Sequence, residues 1–156
     1  MHIAVMDDNI ADRKQLERLL DRESDRRIHT TGNLYIDSFG AVDSLFIAPK
    51  QYEFFMVDIA NNPRECVNIS KKLREIGIKV PVCILRNQNE FSDCKDLPDD
   101  VLFLEKPIKV AELTEAIDKV IALWEEKKDE YKIPDTSDDI PEAKKNIFRR
   151  IFEYFY

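Results

Sequence analysis

Glycine is scarce in this chain: Gly32, Gly40 and Gly77 are the only three in 156 residues, and none follows the first apolar run. Phosphate cradles of the form G-x-x-x-x-G-K-[ST] and dinucleotide turns of the form G-x-G-x-x-G need glycine there, because the backbone itself approaches the phosphates. Both classes are excluded. Cys66, Cys83 and Cys94 are an odd number without tight spacing, which makes neither a disulfide framework nor a zinc site. They read as ordinary reduced thiols of a cytoplasmic protein. Positive charge is also short, with 24 Lys and Arg against 31 Asp and Glu and a net charge of −7. A direct nucleic-acid binder would carry a basic footprint instead. No apolar stretch is long enough to span a bilayer, and "MHIAVMDD" lacks the basic-then-apolar pattern of a signal peptide.

What is present is a core's worth of apolar residues, 44%, with 35% charged residues for the surface. The chain alternates between two patterns. Apolar runs at 2–6, 34–39, 53–58, 80–85 and 101–105 read as strands, the second weakest and therefore an edge. Between and after them, 11–27, 41–48, 64–77, 89–97 and 109–128 read as helices, the fourth being short. Ile10, Leu16, Leu19 and Leu20 fall on one side of the first helix, and Gly77 is placed to stop the third. The last helix carries Val110, Leu113, Ile117, Val120, Ile121 and Trp124 at helical spacing, a packing stripe. Strand and helix in alternation imply βαβ units, hence an α/β doubly wound parallel sheet covered on both faces. Continuous apolar strands agree, because such strands are buried on both sides.

In such sheets ligands bind beyond the carboxyl ends of the strands. The first strand runs into Asp7 and Asp8, the third into Asp58, the fourth into Arg86, and the fifth into Glu105, Lys106 and Pro107. Three carboxylates gathered at one edge repel one another and call for a hard cation; few protein oxygens and retained water suit Mg²⁺ better than Ca²⁺. A lysine beside them offers a point charge to a phosphate. Together they describe phosphoryl transfer, with one carboxylate as nucleophile. Taken singly, each acid could be a helix cap or a strand end, Asp8 or Asn9 before the first helix included. A haloacid-type phosphatase would need D-x-D around its nucleophile, which "MDDN" does not supply.

The segments "IAVMDDN", "YEFFMVDI", "KVPVCIL" and "FLEKPI", in this order and spacing, resemble the bacterial response-regulator receiver domain over roughly residues 1–127. "SFGAVDSLF" and "QYEFFMVDI" make the chain most similar to receivers that precede LytTR-type DNA-binding domains. The resemblance implies a flavodoxin-like, five-stranded sheet of order 2-1-3-4-5. It implies that Asp58 accepts the phosphoryl group, that Asp7 and Asp8 hold Mg²⁺ with Asp58 and the Ala60 carbonyl, and that Lys106 binds the phosphoryl group, with a bond to Pro107 that is often cis in the family. Phe103 stands at the family's aromatic switch position, whose movement is coupled to the surface of the family's fourth helix, fifth strand and fifth helix. The implied partner is a histidine kinase or phosphotransfer protein, and the implied chemistry is self-directed rather than turnover.

Arg86 departs from the pattern, standing where the family has Ser or Thr, with Asn87 after it. It could bind the phosphoryl group, pair permanently with Asp58 to give a phosphorylation-independent interaction module, or face solvent. The loop "NNPREC" also departs, with Asn62 for the usual proline and Cys66 for the usual glycine. After the receiver, 1–130, the segment 131–141 contains "IPDTSDDIP" and reads as a linker. Residues 142–156, "EAKKNIFRRIFEYFY", form a basic amphipathic helical pattern, read as packing on its own domain or on a second copy in preference to a membrane. The long last helix is a candidate for dimerisation.

Overall fold

The computed structural model describes residues 1–59, 62–87, 97–98 and 100–131. Among these, five strands form one parallel sheet: β1 His2–Asp7, β2 Tyr35–Phe39, β3 Phe54–Asp58, β4 Val82–Arg86 and β5 Val101–Glu105, in the order β2-β1-β3-β4-β5. Helices α1 Ile10–Arg27, α2 Val42–Leu45, α3 Pro63–Glu75, α4 Val110–Glu126 and α5 Lys128–Tyr131 connect or follow them. The expected doubly wound sheet of order 2-1-3-4-5 is the observed one. The expected helix over 89–97, apart from Leu97, and the tail 142–156 lie outside the described residues, as does the linker apart from Tyr131. Among the described residues no helix is long and apolar enough to cross a membrane.

Side-chain alternation sorts the strands onto two faces. Ile3, Val5, Phe54, Met56, Cys83, Leu85, Leu102 and Leu104 build one core with α1 and α4. Ala4, Met6, Phe55, Val57, Val82, Ile84 and Val101 build the other, mainly with α3. That two-sided burial is why these strands are apolar throughout. β2 is the exception: as an edge strand it is largely exposed, and its Asp37 accepts a hydrogen bond from the Tyr52 hydroxyl at 2.8 Å.

The helix ends follow from local chemistry. Asn9 caps α1 by accepting from the Asp12 N–H at 3.1 Å, and Asn62 caps α3 by accepting from the Glu65 N–H at 3.3 Å. α3 ends in a Schellman turn: the Gly77 N–H reaches the Arg74 carbonyl, and the Ile78 N–H the Leu73 carbonyl, at 3.0 and 2.9 Å. Gly77 takes φ +91°, which a side chain would disfavour. Two expectations need adjustment. Ile10 is 63% exposed, because it opens α1 before the helix turns its stripe inward. The helix expected over 41–48 is one turn, since Pro49 starts a separate 3-10 turn, Pro49–Gln51.

Polar ties lock the last helices to the body. Buried Glu23 of α1 accepts from Arg27 Nε at 2.7 Å and from the Thr114 hydroxyl of α4 at 3.0 Å; Arg27 in turn reaches Asp118 of α4 at 2.8 Å. Asp100 accepts from Arg74 at 2.6 Å and from the Tyr131 hydroxyl at 3.3 Å, and Tyr131 is buried against Trp124. Trp124 is a packing residue as expected, with its indole N–H also donating to the Glu53 carbonyl at 2.7 Å.

Candidate functional site

The strand register sets the site. β1 and β3 are aligned so that Asp7 lies opposite Asp58, both at the carboxyl ends of their strands. Alternation turns both toward the α1 and α4 face, because Val5 and Met56, two residues back, pack there. Asp7 and Asp58 are 1% and 2% exposed. α1 starts directly after β1, and its first turn carries Asp12 back over the strand ends. Single carboxylate oxygens of Asp7, Asp12 and Asp58 all lie within 4.8 Å of one another.

Lys106, just past β5, closes the cluster. Its Nζ donates to both oxygens of Asp58, at 3.1 and 2.9 Å. The Lys106 N–H is held by the Arg86 carbonyl at 2.8 Å, and the bond to Pro107 is cis. Asp7 Oδ1 accepts from the Asn9 N–H at 2.8 Å, and Arg13 donates to the Asp7 carbonyl at 2.8 Å. A cavity of about 350 Å³ opens over these groups, with Gln15, Asn87 and Ile108 also on its wall.

Burial and crowding shape the charges. Asp7 is pushed up to about 6, first by burial and then by the carboxylates of Asp58, Asp12 and Asp8, against the lowering effect of the Asn9 N–H. Burial also raises Asp58, although the Lys106 hydrogen bond and charge oppose it. Burial works to lower Lys106, but Asp58, Asp12 and Asp7 hold it above its ordinary value. This is an anionic pocket short of positive charge. Its donors are all hard oxygens, which fit Mg²⁺ and do not fit a thiophilic metal.

A pH dependence follows from Asp7. Its folded value, about 6, lies above the ordinary 3.8, so the folded state holds a proton that the unfolded state releases. The stability this contributes is full below about pH 4 and is lost as pH rises through about 6. In metal-free buffer the unfolding free energy should therefore drop by on the order of 2 kcal/mol from this group between pH 4.5 and 7.5. Urea titrations across that range measure it; a rise in stability over the same interval would contradict the burial of Asp7.

The expected residues divide as follows. Asp7, Asp58 and Lys106 come together. Asp8 is exposed and adds repulsion to the two buried aspartates, while Asp12, which the sequence reading missed, stands in the close trio. An acid in the first turn of a helix that opens at a strand's carboxyl end was the available signal. Ala60 lies outside the described residues. Arg86 lies against Phe103, its guanidinium carbon 4.4 Å from the ring centroid and Nη2 4.0 Å from Glu105, while the cation on Asp58 is Lys106. Cys66 and Cys83 are buried, and burial pushes their thiols up to about 11 and about 12, away from reactivity. Cys94 lies outside the described residues.

No family model matches the chain, and no curated protein matches its sequence. Solved structures do match in fold. The response regulator StyR superposes with a TM-score of 0.60 at 19% identity, over 82% of this chain and 62% of that one. A response regulator receiver domain protein from Bacillus halodurans gives 0.55 at 13% identity, over 77% and 96%. A protein assigned to pilus assembly in Burkholderia thailandensis gives 0.58 at 14% identity, over 78% and 98%. This chain therefore has the fold seen in response-regulator receiver domains, with a carboxylate cluster at the carboxyl ends of its strands.

Proposed function

We propose that the chain is a receiver: a phosphoacceptor signalling protein that takes a phosphoryl group on Asp58 in a Mg²⁺-dependent reaction. The observation that carries this is Lys106 Nζ spanning both oxygens of Asp58 at 3.1 and 2.9 Å beside Asp7 and Asp12. A buried carboxylate with a dedicated lysine and two further acids has a use when phosphoryl charge arrives, and is otherwise an expensive arrangement to fold. The phosphodonor is a phosphohistidine of a kinase or phosphotransfer protein. An Asp58 oxygen attacks phosphorus, the P–N bond of the donor breaks, and the leaving imidazole keeps the electron pair and takes a proton. Lys106 turns from the carboxylate to the phosphoryl oxygens and stabilises their charge. Asp7, Asp8, Asp58 and the Ala60 carbonyl, with Asp12 added, are the candidates to hold Mg²⁺, which when bound would neutralise phosphoryl charge. The chemistry is done once per signal on the protein itself, so no turnover of an outside substrate is implied. A cytoplasmic location and a homodimer through α4 are consistent with this role.

Intact mass tests it. Incubation with a small-molecule phosphodonor should add one phosphoryl group in the presence of Mg²⁺ and none in its absence, and Asp58→Asn should stay unmodified. A gain that persists in Asp58→Asn would place the chemistry elsewhere.

A second reading, a phosphorylation-independent interaction module, is favoured by one observation. The residue at the family's hydroxyl position, Arg86, rests on Phe103. Absence of any mass gain with Mg²⁺ present would select this reading.

Asp12 provides a further check. Its carboxylate lies within the trio but is exposed, so Asp12→Asn should leave the fold intact and weaken Mg²⁺ binding by about tenfold, the order expected for one lost charged ligand. Calorimetric titration of the unphosphorylated protein measures it. Unchanged affinity would remove Asp12 from the metal's surroundings.

A further inference from the structure

We infer that Asn87, rather than Arg86, supplies the side-chain donor from the end of β4 to a phosphoryl group on Asp58, and that Arg86 serves instead to hold Phe103. This rests on the phosphoacceptor reading above.

The inference comes from strand parity and from the two cavities at the strand ends. Along β4, Cys83 and Leu85 pack in the α1 and α4 core, whereas Val82 and Ile84 pack in the opposite core. Continued one step at a time, the alternation sends Arg86 with Ile84 and returns Asn87 to the side of Leu85. Asp58 and Asp7 belong to that same side, following Met56 and Val5. The cavities agree. Asn87 lines the one shared by Asp7, Asp12, Asp58 and Lys106. Arg86 lines a different one, of about 480 Å³, which runs along the β5 edge past Phe103, Glu105 and α4 and touches residues of both faces, so it separates Arg86 from the aspartates while the parity assigns the face. Phe103 and Glu105 have the parity of Val101, the same face as Arg86.

The contacts fit this division. The Arg86 guanidinium lies 4.4 Å from the ring centroid of Phe103, a cation–π distance, with Glu105 at 4.0 Å as its counter-charge. These contacts hold it against Phe103 and Glu105, apart from the carboxylates that Lys106 serves. Asn87 has a neutral amide, and its NH₂ is a donor that can serve a phosphoryl oxygen without adding to or cancelling the pocket's charge. A phosphoryl group on Asp58 already meets Lys106, so a neutral donor is what the cluster lacks. The hydroxyl role expected one residue earlier is thereby moved to the next position, and the aromatic ring acquires a cationic clamp.

The test uses beryllofluoride with Mg²⁺ on the full chain as a stand-in for the acyl phosphate, read by fluorine NMR. Asn87→Ala should weaken binding by about tenfold, the size of one hydrogen bond to a charged group, and should shift one of the bound fluorine resonances. Asn87→Ser, which keeps a donor, should recover most of the affinity. Arg86→Ala should leave the affinity within about twofold while changing the ring signals of Phe103. Loss of affinity in Arg86→Ala with none in Asn87→Ala would overturn the assignment. Failure of the unaltered protein to bind beryllofluoride at all would overturn the phosphoacceptor reading itself, an outcome distinct from the first.

Discussion

Alanine at Lys106 is expected to slow phosphoryl uptake on Asp58 by on the order of a hundredfold, the usual effect of removing one donor aimed at developing oxyanion charge. The size follows from the site's charge balance. Lys106 is the cation that bonds both oxygens of Asp58, and Asp7 and Asp12 crowd the same space. Without it, burial raises Asp58 with less opposition, so more of the nucleophile is protonated, and the incoming phosphoryl charge meets carboxylates alone. Lys106→Arg should recover little, because a planar guanidinium on a longer reach is not a point charge at the same place. Stopped-time mass spectra with a small phosphodonor at saturating Mg²⁺ give the rates. Equal rates for Lys106→Ala and the unaltered chain would show that the pair is structural only.

The largest effect on stability is expected away from the site, at Glu23. Glu23 is 2% exposed and Arg27 6%, and together they join α1 to Thr114 and Asp118 of α4. Glu23→Ala leaves the Arg27 guanidinium buried with its nearest carboxylate gone, which costs about 3–5 kcal/mol. The double change Glu23→Leu with Arg27→Met should cost less than the single one, since it removes both buried charges and fills the space. Urea denaturation of the three proteins decides this. A loss below about 1 kcal/mol for Glu23→Ala would mean that water replaces the missing carboxylate.

The sheet was legible in the sequence because parallel strands buried on both faces are continuous apolar runs. Their ends were legible too, because a carboxylate such as Asp58 or Asp7 stands out directly after such a run. Helix phase was harder to see. Asp12 reaches the acids only because just two residues separate β1 from α1 and the first turn of the helix folds back, which no local pattern records. Arg86 was located correctly at the end of β4, but alternation determines which face it serves, and it serves that of Phe103. The helix expected over 41–48 was overextended because Pro49 interrupts it. The basic aromatic segment 142–156 and Ala60 lie outside the described residues, and their expected roles stand as proposals.

The central claim is that Asp58, among Asp7, Asp8, Asp12 and Asp58, is the residue that takes the phosphoryl group. Borohydride reduction converts an aspartyl phosphate to homoserine, so peptide mapping after phosphodonor and Mg²⁺ treatment reads the position directly. Homoserine is expected at position 58 alone, dependent on Mg²⁺. Homoserine at position 7, 8 or 12, or none at all from a folded, Mg²⁺-loaded protein, would contradict it.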